Sequence, residues 1–433
     1  MKKPKFQSPS GMHDILPEEQ KYYQKIYEVV SNIADFYGFG KIETPVLEET
    51  ELFSKGIGLA TDVVKEQMYN LKTKGGDFLT LRPEWTAPVV RAYIQYGMQS
   101  LSQPVKLWYF GPCYRYERQQ AGRYRQFWQF GFEVLGEKGS VADAQIIQIF
   151  HNILEELKLK NLIIQINSIG DNNCRPYYKK LLVSYLRGRE TSLCLDCKRR
   201  LRENVLRVLD CKEEKCQIIK REAPQILDHL CDECHSHFKE ILEFLDETGL
   251  PYNLNPYLVR GLDYYTKTVF EIFFTKSVEK ENFLNALAGG GRYDKLAKLL
   301  GGKETSACGG AAGVERIIKL MKNLEMKFPK EAEAQVFLTQ LGVLAKKKSL
   351  RLLEDFRRAK IKTTEAFGRD SLKAQLNKAN RLGVKYVLIL GQKEALEGTI
   401  IIKNMGSGKQ EIVKLDKVVG TMKKRLKKLK SEA

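Results

Sequence analysis

The chain has 433 residues, beyond the size at which a single core usually stops growing, so two or three domains are expected. Its apolar fraction of 43% supports ordinary cores, and no apolar run approaches the roughly 20 residues that a membrane span needs. The net charge of +19 is concentrated at one end: residues 330–433 hold 25 Lys and Arg against 11 Asp and Glu, a net +14. A segment so basic is expected to meet a polyanion, nucleic acid first, with a merely solubilising surface as the alternative. The start of the chain, Met1 to Phe6, is basic with no apolar core after it, so no secretory signal and a cytoplasmic location are expected.

In chain order, Tyr22, Ile26, Val29, Val30, Ile33 and Phe36 fall at helical spacing and predict a helix over 17–37 that ends at Gly38. A strand-like 41–46 follows, with Pro45 favouring an edge or end position. Further strands are predicted at 66–71, 77–82, 105–116, 125–135 and 268–274, and helices at 86–98 and 141–159. That mixture lacks regular strand–helix alternation, so the fold class predicted is α+β, an antiparallel sheet flanked by helices. A mostly helical, Cys-rich stretch at about 171–250 interrupts this unit. Beyond Leu324 the character changes: strand 336–341, helix 342–358, strand 361–367, helix 370–382 and strand 385–390 alternate as α/β units do. A hairpin at 399–415 and a basic helix complete the chain. The boundary near Lys327 to Lys330 therefore predicts one domain over 1–324, carrying the insertion, and a second over 330–433.

The most informative stretch runs from Tyr109 to Glu133. Along its second strand the even positions Trp128, Phe130, Phe132 and Val134 suit a buried face, while Phe127, Gln129, Gly131 and Glu133 line the opposite one. Arg115 and Glu117 share a face of the first strand. Such a surface reads as the floor of a polar pocket, against the plainer reading of a half-buried strand. Four clusters add to it. Leu81 to Thr86 places the Glu84 carboxylate just before a helix, where it could hold an ammonium group. Leu258 to Tyr265 presents Arg260, Tyr264 and Tyr265. Ala288 to Asp294 reads as a flexible Gly turn, and Gly309 to Arg316 sets Arg316 at the start of an apolar helix. The chain has neither a Walker-type loop nor a Gly-x-Gly-x-x-Gly fingerprint. Arg115, Arg260 and Arg316 could instead supply the positive charge that phosphates need.

These motifs resemble a known family. Arg115 with its strand–loop–strand is similar to motif 2 of the class II aminoacyl-tRNA synthetases, Gly309 to Arg316 to motif 3, and Tyr27 to Glu48 to the dimer-forming motif 1. Arg260 to Tyr265 and Ala288 to Asp294 look like the two histidine-specific motifs of the histidyl-tRNA synthetases, and the basic end like their anticodon-binding domain. The resemblance implies a ligase using L-histidine, ATP, Mg2+ and tRNA(His), working as a homodimer. Glu84, Thr86 and Gln129 would hold the α-amino group; Glu133 and Tyr265 would read the imidazole, with Trp85 and Tyr264 at the same site. Arg115 and Arg260 would contact the α-phosphate and carry the catalysis, Phe127 would stack on adenine, and Arg316 would face the γ-phosphate. Glu117 and Arg123 would complete the ATP site, with magnesium bridging phosphate oxygens. Arg118, Gln120 and Arg123 match positions that approach the tRNA acceptor end, although Gln119 stands where the family commonly has proline. A histidine-binding regulatory subunit of ATP phosphoribosyltransferase, which shares the catalytic fold, and a non-enzymatic RNA-binding module are the alternatives.

Six of the nine cysteines lie between Cys194 and Cys234. Cys194-x-x-Cys197 and Cys231-x-x-Cys234 could each give two thiolates to a tetrahedral zinc site, with Cys211, Cys216, His235 and His237 nearby. The other reading is a reduced helical insertion whose cysteines only pack. Both stay open at this stage. A disulfide framework is not expected.

Overall fold

Apolar alternation along 105–135 builds a long antiparallel hairpin, and the first part of the molecule is laid around it. The computed structural model describes residues 5–58, 61–117, 123–275, 286–326, 334–366 and 371–431, with side chains to Lys427. The chain divides into two units, Met1–Met326 and Lys327–Ala433.

The first unit begins with α1 (Pro17–Phe36), whose Tyr23, Ile26, Val29, Val30, Ile33 and Ala34 form the buried stripe. It continues through β1 (Gly40–Lys41), β2 (Leu47–Glu49), α2 (Thr50–Ile57), β3 (Tyr69–Lys72), β4 (Phe78–Leu81) and α3 (Thr86–Gln95). The central hairpin is β5 (Val105–Tyr114) with β6 (Gln126–Leu135), followed by α4 (Ser140–Glu156) and β7 (Leu162–Ser168). Between β7 and β8 (Tyr252–Leu254) the chain is helical: α5 (Arg175–Arg187), α6 (Leu195–Glu203), α7 (Glu214–Arg221) and α8 (Asp232–Glu247). The unit closes with β9 (Thr266–Phe274), β10 (Ala288–Arg292), α9 (Leu296–Leu299), β11 (Ala307–Gly313) and α10 (Val314–Asn323). Eight strands form one sheet in the order β1-β5-β6-β11-β10-β9-β7-β8, antiparallel from β5 through β7 with a parallel pair at each edge. β2, β4 and β3 make a separate small sheet.

Two expectations change here. The strand predicted from residue 66 starts later, because 63–67 forms a helical turn whose first residues are capped by Thr61: Val64 N donates to Thr61 Oγ1 at 3.4 Å and Lys65 N to its carbonyl at 3.1 Å. Ala288 to Arg292 is not a flexible turn. It is β10, buried along its whole length between β9 and β11. Its glycines serve close approach: a Cβ on Gly290 would strike the Gly309 carbonyl oxygen, and one on Gly289 would lie 2.7 Å from Arg260 Nη1.

The second unit contains β12 (Val336–Gln340), α11 (Val343–Arg358), β13 (Thr363–Glu365), α12 (Leu372–Arg381), β14 (Tyr386–Leu390), α13 (Gln392–Glu397), β15 (Thr399–Asn404), β16 (Gln410–Lys414) and α14 (Val418–Ser431). Its sheet order is β13-β12-β14-β15-β16, parallel in the first three strands and antiparallel afterwards. Side chains of β12 and β14 alternate between two cores: Val336, Leu338, Leu388 and Leu390 pack on one face, Phe337, Val387 and Ile389 on the other. Helix α13 was not anticipated; Glu394 Oε2 accepts the Gly391 N–H at 3.0 Å and starts it. No helix among the described residues is long and apolar enough to cross a membrane.

Candidate active site

The site grows from the odd-numbered face of β6. Glu133 is fully buried, and its Oε1 accepts from the Thr86 hydroxyl at 2.8 Å and the Tyr109 hydroxyl at 3.2 Å, while Oε2 accepts from Tyr293. Glycines make the room. Gly309 pairs with Glu133 across the sheet, where any Cβ would overlap Glu133 Oε2, and a Cβ on Gly131 would overlap the Tyr109 hydroxyl. Burial pushes the Glu133 carboxyl up to about 8; the Tyr293 and Thr86 hydroxyls pull it down, and the charge of Glu84 pushes it up again.

Glu84 lies just ahead of α3, and its carboxylate caps that helix: Oε2 accepts from Thr86 N at 2.6 Å and Oε1 from Ala87 N at 2.8 Å. Burial raises its pKa as well. Trp85 does not line the open cleft. Its indole stacks on Tyr109 with ring centroids 4.7 Å apart, and the Arg82 guanidinium lies 3.4 Å from its ring centre. Arg82 in turn donates to Pro112 O at 2.9 Å and Thr44 O at 2.7 Å, which pins three chain segments together. Tyr264 and Tyr265 are buried with their rings 4.7 Å apart, and Tyr264 lies 5.7 Å from the Tyr293 ring. Burial, above all, raises both phenols.

Next to this buried group lies an open cleft lined by Arg115, Glu117, Arg123, Phe127, Gln129, Arg260, Glu271 and Arg316, among others. Arg115 donates from Nε to Pro83 O at 2.8 Å, lies 3.7 Å from Glu117 and has its guanidinium 5.3 Å from the Phe127 ring centre. Arg123 meets the other Glu117 oxygen at 3.7 Å. Burial alone would lower the Arg260 guanidinium, but the paired Glu271 carboxylate, with Tyr265 and Tyr264, raises it above its ordinary value. Arg316 donates to Ala286 O at 2.9 Å; burial lowers it, and the charges of Arg123 and Arg115 lower it further. Four guanidinium groups thus face three carboxylates. One of those, Glu315, is pushed by burial to about 7 and is committed to Trp128 N at 2.8 Å and the Tyr23 hydroxyl at 3.2 Å. The cleft is short of negative charge.

The family model for histidyl-tRNA synthetase matches residues 11–317, and a model for an anticodon binding domain matches residues 335–425. The chain belongs to the histidyl-tRNA synthetase family. The histidine–tRNA ligase of Dehalococcoides mccartyi is 42% identical over 421 residues, 97% of this chain and 100% of that protein. An apo histidyl-tRNA synthetase from S. aureus superposes with a TM-score of 0.79 at 34% identity, covering 96% of this chain and all of the other. A Bacillus halodurans protein described as an ATP phosphoribosyltransferase regulatory subunit/histidyl-tRNA synthetase shares the fold alone, at 20% identity and a TM-score of 0.62. The α+β class II synthetase fold with a C-terminal α/β anticodon-binding domain, expected from sequence, is borne out.

Among the expected histidyl-tRNA synthetase residues, Arg115, Glu117, Arg123, Phe127, Gln129, Arg260 and Arg316 line the cleft, while Glu84, Thr86, Glu133, Tyr264 and Tyr265 lie in the buried group. Arg118, Gln119 and Gln120 fall outside the described residues. Sequence reasoning gave no role to Tyr109, Tyr293, Glu271 or Glu315. Glu271 had a signal, a lone charge in the apolar run 268–274. The two tyrosines had none, because only strand pairing brings their hydroxyls to one carboxylate.

Proposed function

We propose that the chain is a histidine–tRNA ligase, which activates L-histidine with ATP to histidyl-adenylate and transfers it to the 3′ end of tRNA(His). The observation that carries this reading is the convergence of Arg115, Arg260 and Arg316 on one cleft beside the buried, hydroxyl-held Glu133.

A carboxylate offers about four acceptor positions, and three on Glu133 are taken. The remaining one suits an imidazole N–H, with the Tyr265 hydroxyl serving the other ring nitrogen. An apolar side chain of similar size would strand these groups, which gives selectivity by rejection. Glu84, Thr86 and Gln129 would hold the ammonium end. Trp85 and Tyr264 would shape the same site from behind.

In the first step the histidine carboxylate attacks the α-phosphate in line, and pyrophosphate leaves. Two anions meet, so fixed cations are the needed catalysts, and Arg115 and Arg260 would hold the α-phosphate through it. Phe127 would stack on adenine and Arg316 would face the γ-phosphate. Magnesium is implied for the family. Glu117 and Glu271 both line the cleft and fit a cation held by one or two carboxylates plus phosphate oxygens, where it would offset phosphate charge. In the second step a terminal ribose hydroxyl of tRNA attacks the adenylate carbonyl, forming the aminoacyl ester as the acyl–phosphate bond breaks and AMP leaves. Arg118, Gln120 and Arg123 would guide that end, and the basic second unit would meet the anticodon. The chain would act in the cytoplasm as a homodimer through 27–48.

ATP–pyrophosphate exchange measured across the twenty amino acids tests the reading. Exchange with histidine alone is expected; histidine binding without exchange would reject it.

A further inference from the structure

The sequence joins Cys194-x-x-Cys197 to Cys231-x-x-Cys234, but the fold separates them. Two independent groups of four ligands form instead: Cys194, Cys197, Cys211 and Cys216 in one, Asp171, Cys174, Cys231 and Cys234 in the other, each with its ligand atoms within 4.8 Å of one another. We propose that each group binds one zinc ion, a four-thiolate site inside the insertion and a three-thiolate, one-carboxylate site at its base.

The distances carry the argument. A tetrahedral zinc with Zn–S bonds of about 2.3 Å holds its sulfurs about 3.8 Å apart, and a carboxylate oxygen about 3.6 Å from a sulfur. Cys194 Sγ lies 3.8 Å from Cys211 Sγ, and Cys174 Sγ lies 3.8 Å from Cys234 Sγ. Asp171 Oδ1 is 3.6 Å from Cys174 Sγ and 3.9 Å from Cys231 Sγ. The thiols of both groups are free, and the second group has only three, so it cannot close as two disulfides. Backbone amides already point at the sulfurs, as they do around thiolate ligands: Cys197 N and Cys194 N donate to Cys194 Sγ at 3.4 Å and Cys216 Sγ at 3.3 Å, and Asp171 N donates to Cys174 Sγ at 3.4 Å.

Ligand spacing agrees. Each half-site is a short loop, Cys-x2-Cys with Cys-x4-Cys in the first and Asp-x2-Cys with Cys-x2-Cys in the second. Seven of the nine cysteines are used; the other two, Cys113 and Cys308, sit apart in β5 and β11. His237 belongs to neither group and lies 3.4 Å from Asp143.

The two ions would do different work. The first would staple α6 and α7 across a small core that also contains Tyr178, Leu182 and Val208. The second would clamp the point where the insertion leaves β7 to the point where it returns through α8. Arg175, beside Cys174, donates to the Tyr265 carbonyl at 2.8 Å, so this clamp also reaches the segment that carries Tyr264 and Tyr265.

Metal analysis of the full chain, purified without chelator, should find about two zinc ions per chain. The paired change Cys194→Ser with Cys211→Ser should leave about one, and Cys174→Ser with Cys231→Ser about one. If those variants fail to fold, mercurial titration of the unaltered protein decides, with both ions released as the seven ligand thiols react. Less than about 0.2 zinc per chain, only one ion, or iron in place of zinc would overturn the assignment.

Discussion

The two sheets of this molecule handle buried polarity in opposite ways. The first unit buries ionisable groups, among them Glu84, Glu133, Asp143, Arg292 and Glu315, whereas among the described residues the buried polar ones of the second unit are the neutral Thr339, Gln340, Ser349 and Gln375. In the first, charge lies inside, where low dielectric makes it chemically useful. In the second, Gln340 and Gln375 bond each other reciprocally, Gln340 N to Gln375 Oε1 at 3.0 Å and Gln375 Nε2 to Gln340 O at 2.9 Å. None of its described Asp, Glu, Lys or Arg side chains is fully buried, which leaves them where a polyanion can meet them. A pocket for chemistry and a platform for docking thus leave different interiors.

The contrast is broken most directly at Arg260. Arg260→Ala should cut the pyrophosphate-exchange rate by about a hundredfold or more, the scale of losing one preorganised donor. A rate near that of the unaltered protein would remove Arg260 from the reaction. In the second unit, Gln375→Ala strands the Gln340 amide and carbonyl. It should cost about 1–3 kcal/mol by urea unfolding, because two buried backbone groups lose their partner.

Glu133→Gln sharpens the comparison through pH. Burial lifts its folded-state value to about 8 from an ordinary 4.5, so the folded protein keeps a proton that the unfolded chain releases in between. The stability contributed by this group is complete below about 4.5. It then declines, by up to about 1.4 kcal/mol per pH unit, until pH passes the folded value. The Gln variant lacks that decline and should gain on the unaltered protein as pH rises from 5 to 8. Parallel unfolding curves across that range would contradict the buried state of the carboxyl.

Local patterns were legible in the sequence. The period of two along β6 put Phe130, Phe132 and Val134 on one face and Gln129 and Glu133 on the other, and the structure keeps that division. The α/β alternation of the second unit was also readable, because each element carries its own apolar spacing. The three arginines could be singled out from their motifs, with their individual roles implied by resemblance, and they line one cleft. What sequence could not give depends on partners distant along the chain. The run at 288–292 looked like a turn because glycine is a common turn residue; its actual reason is the backbone of Gly309 next to it. The thiols were matched by motif, whereas the fold matches each Cys-x-x-Cys to other ligands.

The pairing of Glu133 with Gly309 has one more effect. A slip of a single residue between β6 and β11 would turn Phe132 or Val134 toward the cavity and drive the acid into the aromatic layer around Phe150. Any slip by an odd number of residues incurs both penalties, so the residues that hollow out the pocket also help tell the sheet how to zip together.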